Sequence, residues 1–366
     1  MVKKRIVFVV MTLDIGGIET YLYRFLKYIG NEIEAFVICK NGYKEWSLLK
    51  KIEETGARVI GCDVGVKPSL KYTQFYSFLK KNEVDAIVDF TGDFSGFVML
   101  ISRLAKIPIR LTFYRESRYQ FALTFFKKIY VSILHRLVVN NTTRILSNSL
   151  AALNYFCKGE NIEGEQYKVI HNGINIDLFL KEKLNLREQL GIPKSAIVIG
   201  NVGRFTPAKN HMTMLNVAIE VCKQYHNVYF VFCGKGVSAL PIKEELVDRV
   251  ILIEHESNIK LVYNTLDLFL FLSTNEGLPN VLIEAMLSKL PIVASNIESN
   301  REVFPKFFHK YLCNPIDIEE VCSRVNYYME SYKNKRTEEL ENQMFKFVCS
   351  KFDSNVLFQS FKNELL

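Results

Sequence analysis

Short apolar runs alternate along the whole chain with longer stretches in which apolar residues recur every three or four positions. In the first half the runs at 6–10, 35–39, 58–61, 86–89, 110–113 and the one opening at Arg144 read as strands. Runs this apolar suit strands covered on both faces, as in a parallel sheet. The stretches at about 18–29, 45–55, 70–80 and 92–104 read as the intervening helices, and Ser149 as the N-cap of another. Near Asn172-Gly173, a turn-forming pair, the alternation pauses and then restarts. A helix over 184–190 is followed by strands at 197–202, 228–233, 250–253, 266–272 and 291–295, with helices up to Tyr225 and over 259–266. The last segment, from about Glu339, is helical. Strand and helix in steady alternation predict doubly wound parallel sheets, an α/β fold. The restart predicts two of them, over 1–168 and 169–345, with 346–366 as a closing helix.

Length agrees, since 366 residues exceed what one core usually holds. Hydrophobic content of 49% and charged content of 23% are those of a soluble globular protein. Eight cysteines lie scattered, without a Cys-x-x-Cys pair or clustering with the six histidines, and read as reduced thiols in a cytoplasmic protein. The start, Lys3-Lys4-Arg5 and a short apolar run, imitates a signal peptide but suits a first strand better. No run reaches the roughly 18 apolar residues of a membrane span, so any membrane contact is expected to be peripheral.

The net charge of +8 changes the picture further, because it is carried entirely by residues 1–180, with 25 Lys and Arg against 17 Asp and Glu. Segment 101–144 holds Arg103, Lys106, Arg110, Arg115, Arg118, Lys127, Lys128, Arg136 and Arg144 against the single acid Glu116. Phe113, Tyr114, Tyr119, Phe121, Phe125, Phe126 and Tyr130 are interleaved with them. Two readings stay open: a basic aromatic face for an anionic membrane, or an aromatic core face with a wet basic one. No nucleic-acid partner is expected.

Candidate chemistry gathers where strands end, the place where open α/β sheets bind ligands. Residues 273–286 read Ser-Thr-Asn-Glu-Gly-Leu-Pro-Asn-Val-Leu-Ile-Glu-Ala-Met, a strand end, a loop and a helix. Pro279 fits the first helical turn, and Glu276 and Glu284 are spaced to touch two parts of one elongated polar ligand. After strand 197–202 come Gly203-Arg204 and Lys209-Asn210, two cations across one loop, as a diphosphate needs. Gly16-Gly17 between a strand and a helix lets a phosphate approach backbone N–H groups. Gly234-Lys235-Gly236 forms a similar turn.

Taken together, Glu276 to Glu284 with Glu-Ala-Met, Gly-Arg-x-x-x-x-Lys-Asn, Gly-Gly-x-Glu and the Val-Ile-x-Asn-Gly-Ile marker at 169–174 resemble family 4 of the retaining glycosyltransferases. The resemblance implies the GT-B architecture, two Rossmann-like doubly wound domains facing a central cleft, with the final helix crossing back to the first. It assigns Arg204 and Lys209 to the donor diphosphate, Gly16 and Gly17 to its opposite face, Glu276 to the donor sugar and Glu284 to the ribose. Gly234 and Lys235 would lie beside the base, while Leu278 and Asn280, in Leu-Pro-Asn, favour UDP over GDP; Glu302 would be structural. Many relatives carry a histidine near Tyr114 to Arg118; Arg115 is the nearest polar residue there, and His135 stands too far along the chain. No Asp-x-Asp is present to hold a divalent cation on the nucleotide, so metal-free chemistry is expected, with no cofactor besides the nucleotide-sugar substrate. The implied activity moves a hexose or N-acetylhexosamine from a UDP-sugar to a lipid-linked or oligosaccharide acceptor for a surface polysaccharide. It would work in the cytoplasm, with peripheral contact on the inner face of the membrane. An epimerase of the same architecture and an inactive nucleotide-sugar binder are the alternatives. A nicotinamide enzyme ranks below them, since the first turn lacks Gly-x-Gly-x-x-Gly.

Overall fold

A computed structural model describes residues 3–366 apart from 43, 45, 63, 66–68, 117–118, 120–123, 181–183 and 334–337. Arg118 and Phe121 of the basic aromatic segment therefore lie outside the described residues. The chain forms two compact units, one of Met1–Asn172 with Asn355–Leu366, the other of Gly173–Ser354.

In the first unit seven strands form one parallel sheet: β1 (Lys4–Val10), β2 (Ile33–Cys39), β3 (Arg58–Gly61), β4 (Ala86–Asp89), β5 (Ile109–Tyr114), β6 (Arg144–Ser147) and β7 (Tyr167–Val169). Their order is β3-β2-β1-β4-β5-β6-β7. Strand order reverses between β1 and β4, which opens a crevice at their carboxyl ends. Helices α1 (Gly17–Ile29), α2 (Leu49–Glu53), α3 (Lys71–Lys81), α4 (Gly96–Leu104), α5 (Phe125–Asn141) and α6 (Leu150–Phe156) alternate with the strands. Ser149 caps α6 as expected, its hydroxyl accepting from the Ala152 N–H at 3.1 Å. The helix expected over 45–55 is shorter, because only Leu49 and Ile52 of α2 are apolar enough to anchor it.

The C-terminal helix, Ser354–Leu365, packs in this unit through Phe358, Phe361 and Leu365 against Tyr21, Phe25, Phe90 and Phe113. Its Glu364 meets Lys168 at 2.6 Å and Arg144 at 3.1 Å. The final helical segment is broken, not continuous: α13 (Glu338–Lys351), the last helix of the second unit, ends before Phe352, whose side chain is buried in that unit's core.

The second unit repeats the plan with five parallel strands, β8 (Ile197–Val202), β9 (Val228–Cys233), β10 (Val250–Ile253), β11 (Leu268–Phe271) and β12 (Ile292–Ala294), in the order β10-β9-β8-β11-β12. Its reversal lies between β8 and β11. After the short α7 (Asp177–Leu180), helices α8 (His211–Gln224) and α12 (Ile318–Lys333) pack on one face, α9 (Ile259–Thr265), α10 (Asn280–Leu287) and α13 on the other, and the short α11 (Glu298–Val303) follows β12. Residues 187–191 form turns instead of the expected helix, with Arg187 committed to an ion pair with Asp267 at 2.5 Å. Among the described residues no helix is long and apolar enough to cross a membrane.

Candidate functional site

Both reversals of strand order carry chemistry. In the second unit the loop after β8 and the loop after β11 are stitched together where the Thr274 N–H donates to the Ala208 carbonyl at 2.8 Å. Asn210, in the left-handed conformation, donates to the carbonyls of Leu272 and Pro315 at 3.1 and 2.9 Å. This framework brings Lys209 Nζ to 2.7 Å from Glu276 Oε1, with both side chains largely buried. The lysine also lies over the Phe271 ring, 5.3 Å from its centre. An ammonium has three donors; the carboxylate takes one and fixes the direction of the rest. Arg204, on the same loop, is exposed and makes no hydrogen bond or ion pair among the described residues.

Glu284 stands in the second turn of α10, where its Oε2 accepts from the Tyr263 hydroxyl at 2.7 Å. Tyr263 is fully buried between Phe179 and Phe269, and burial together with that carboxylate pushes its hydroxyl well above the usual phenol range. A core tyrosine thus sets the direction of the expected ribose-binding carboxylate. A buried phenol must find a partner, and that was the available signal for it. Pro279 precedes α10 as its cap, one position earlier than expected. Leu278 is buried in the core, so only its backbone is offered to a ligand, while Asn280 opens the helix.

Gly234 has φ +149°, and a Cβ there would stand 2.3 Å from the Gly203 carbonyl oxygen, so the loops after β8 and β9 touch backbone to backbone. The Phe205 N–H donates to the Lys235 carbonyl at 2.9 Å across this contact, leaving the Lys235 side chain exposed. Glu254 receives the N–H groups of Gly236 and Ser238, which hold its carboxyl below the usual range.

In the first unit Gly16 caps α1 and Gly17 is its first residue. A Cβ on Gly16 would meet Glu19 Oε2 at 2.4 Å, whereas one on Gly17 would meet nothing within 4 Å. Burial raises the Glu19 carboxyl above its ordinary value. Arg115 lies face-on over Tyr21, its guanidinium carbon 3.7 Å from the ring centre, and burial pulls it down to about 10. Glu19 and Arg115 line a cavity of about 280 Å³ with Phe90, Asp93, Phe94 and Tyr119.

Asp93 is the centre that sequence reasoning missed. Buried, it accepts from the Tyr114 hydroxyl at 2.5 Å and from the Tyr119 hydroxyl, and His135 Nδ1 lies 2.9 Å from its Oδ1. Separation along the chain misled: α5 folds back over the end of β5, so His135 shares a carboxylate oxygen with Tyr114. Asp93 raises the His135 imidazole above its ordinary value. Beneath the same turn Lys40, fully buried, contacts Asp89 at 2.8 Å and donates to Thr91 Oγ1 at 2.7 Å and the Phe94 carbonyl at 2.8 Å. This pair fixes the 91–94 turn that presents Asp93.

Comparison with known proteins finds related chains over both units. The family model described as Glycosyltransferase Family 4 matches residues 15–178, and the one described as Glycosyl transferases group 1 matches residues 182–346. The capsular polysaccharide biosynthesis glycosyltransferase CapH of Staphylococcus aureus is 28% identical over 305 residues, 79% of this chain and 80% of that one. An Escherichia coli UDP-Gal:alpha-D-GlcNAc-diphosphoundecaprenol alpha-1,3-galactosyltransferase is 23% identical over 276 residues, 71% of this chain and 70% of that one. Among solved structures, HepE of Anabaena in complex with UDP superposes with a TM-score of 0.81 at 19% identity, over 100% of this chain and 99% of that one. The same protein with UDP-glucose gives 0.77, over 99% of each chain.

Proposed function

The chain belongs to the family 4 glycosyltransferases of GT-B fold, and from that premise we propose that it transfers a hexose or N-acetylhexosamine from a UDP-sugar, with retention, to a lipid-linked or oligosaccharide acceptor in surface polysaccharide synthesis. The observation that carries this reading is the Lys209–Glu276 pair at the reversal between β8 and β11, with Glu284 one short helix segment away. Breaking the sugar–phosphate bond puts negative charge on the departing diphosphate and positive charge on the sugar ring. Preorganised cations at the leaving group lower that barrier most. Lys209 spends one donor on Glu276 and offers the others to phosphate oxygens, and Arg204 adds a second cation. Glu276 accepts from the sugar's hydroxyls, and Glu284, aimed by Tyr263, from those of the ribose. Gly234 and Lys235 edge the base. The acceptor oxygen attacks the anomeric carbon on the face the diphosphate leaves, and its proton passes to the departing oxygen.

The UDP and UDP-glucose complexes of HepE and the UDP-Gal donor and diphosphoundecaprenol acceptor named for the Escherichia coli relative support UDP and a lipid-linked acceptor. The cavity around Asp93 and Arg115 suits an acceptor sugar: aromatic walls for its C–H faces, a carboxylate for its hydroxyls. The test is UDP release from UDP-glucose, UDP-galactose and UDP-N-acetylglucosamine, with and without a prenyl-diphosphate sugar. Acceptor-dependent release supports the proposal. No release from any UDP-sugar while GDP-sugars turn over would contradict the choice of UDP.

A further inference from the structure

Three loops leave the second sheet side by side, from the carboxyl ends of β8, β9 and β10. The ladder runs one step past the strands, where the Gly203 N–H donates to the Cys233 carbonyl at 2.8 Å and the Gly234 N–H to the Ile253 carbonyl at 2.9 Å. The middle loop is the turn 234–238, with Gly234 at φ +149° and Gly236 at φ +86°. Glycine leaves such angles as readily as it takes them, so the turn keeps its shape through the bonds made to it. On one side Val237 is buried in the core, and the Phe205 N–H ties the Lys235 carbonyl to the β8 loop. The other side is held by Glu254, the first residue after β10. Its Oε1 accepts from the Gly236 N–H at 2.6 Å, and its Oε2 from the Ser238 N–H at 3.2 Å and the Ser238 hydroxyl at 2.8 Å. Only an ionised carboxylate accepts on both oxygens at once, and these bonds keep the group ionised at neutral pH. Gly236 in turn faces the loop of Arg204 and Lys209, since a Cβ on it would stand 3.5 Å from the Phe205 Cβ.

We infer that Glu254 is a positioning residue for the nucleoside: it fixes the 234–238 turn as one wall of the donor site and so sets the affinity for uridine nucleotides without touching them. The inference rests on the donor reading proposed above, in which Gly234 and Lys235 edge the base, and adds what holds that edge in place. Glu254 is exposed and fills no part of the core, so its three bonds act on the shape of the turn. Without them each incoming nucleotide would have to order the turn itself. That cost falls on binding and not on the bond-breaking step, which belongs to Lys209 and Glu276.

Titration calorimetry of the full chain with UMP and with UDP separates the nucleoside side of the site from the phosphate side. Glu254→Ala should weaken both by the same factor, about 10-fold, whereas Lys209→Ala should weaken UDP more than UMP. Ser238→Ala, which leaves both N–H bonds in place, should weaken both about 2-fold, and adding it to Glu254→Ala should change nothing further, because the hydroxyl has then already lost its partner. Turnover of a UDP-sugar by Glu254→Ala should show the same factor in KM with kcat kept. Wild-type protein that binds neither nucleotide would overturn the donor reading and this inference with it. Wild-type binding that Glu254→Ala leaves intact, or weakens for UDP alone, would overturn the inference and leave the donor reading standing. So would a Ser238→Ala effect that adds in full to that of Glu254→Ala.

Discussion

The two units answer the same topological problem with opposite chemistry. Where strand order reverses in the second unit, the residues are charged: Arg204 is exposed, and the largely buried Lys209 is held at 2.7 Å by one carboxylate oxygen of Glu276. At the corresponding place in the first unit they are enclosed and aromatic, built on Asp93 with two tyrosine hydroxyls and an imidazole. Fixed cations suit a ligand that carries its own negative charge. A shared carboxylate among aromatic rings suits an uncharged polyol. One fold can thus carry two kinds of chemistry because the strand ends position the loops while leaving their side chains free.

That contrast can be broken at several points. The largest effect is expected from Lys40→Met, which strands Asp89 in the core beneath the 91–94 turn and should cost about 3–5 kcal/mol in chemical denaturation. Asp89→Leu added to it should recover part of the loss. On the cationic side, Lys209→Ala should lower kcat about 100- to 1000-fold, since it removes charge stabilisation at the leaving group, and should also lower the melting temperature, since it leaves the largely buried Glu276 without its lysine. Tyr263→Phe should weaken UDP binding by roughly 5- to 10-fold, on the order of 1 kcal/mol, because Glu284 loses the bond that aims it; titration calorimetry reads this directly.

The smallest effect is a pH dependence confined to the first unit. The Asp93 hydrogen bond raises His135, with Glu160 3.8 Å away on its other nitrogen. A group raised on folding contributes stability that is complete below its unfolded value, about 6.5, and is lost as pH climbs through the raised one. The destabilisation by His135→Gln should therefore shrink as pH rises above about 6.5. A cost that grows with pH would mean that the imidazole stays neutral beside Asp93.

Legibility followed the same division. In the second unit Arg204, Lys209 and Glu276 lie on the loops that follow β8 and β11, and Glu284 on the helix after the latter, so the alternation of apolar runs placed these candidates in the fold and the short motifs around them singled them out. Tyr263 escaped because its partner lies on another helix, across the core. In the first unit Glu19, Asp93, Arg115 and His135 come from four separate segments, and no spacing links them. His135 was set aside on chain distance, which a helix folding back over a sheet makes irrelevant. Phe125 and Phe126 could not be assigned to core or surface because periodicity marks a face without saying what covers it.

The most direct test of a donor site on the loops after β8 and β11 is thermal stabilisation by UDP, measured beside GDP and NAD on wild type, Lys209→Ala and Glu284→Ala. UDP at about 100 times its dissociation constant should add roughly 2.7 kcal/mol to the wild type and almost nothing to either variant. Equal stabilisation of all three proteins by UDP, or a shift with NAD alone, would contradict it.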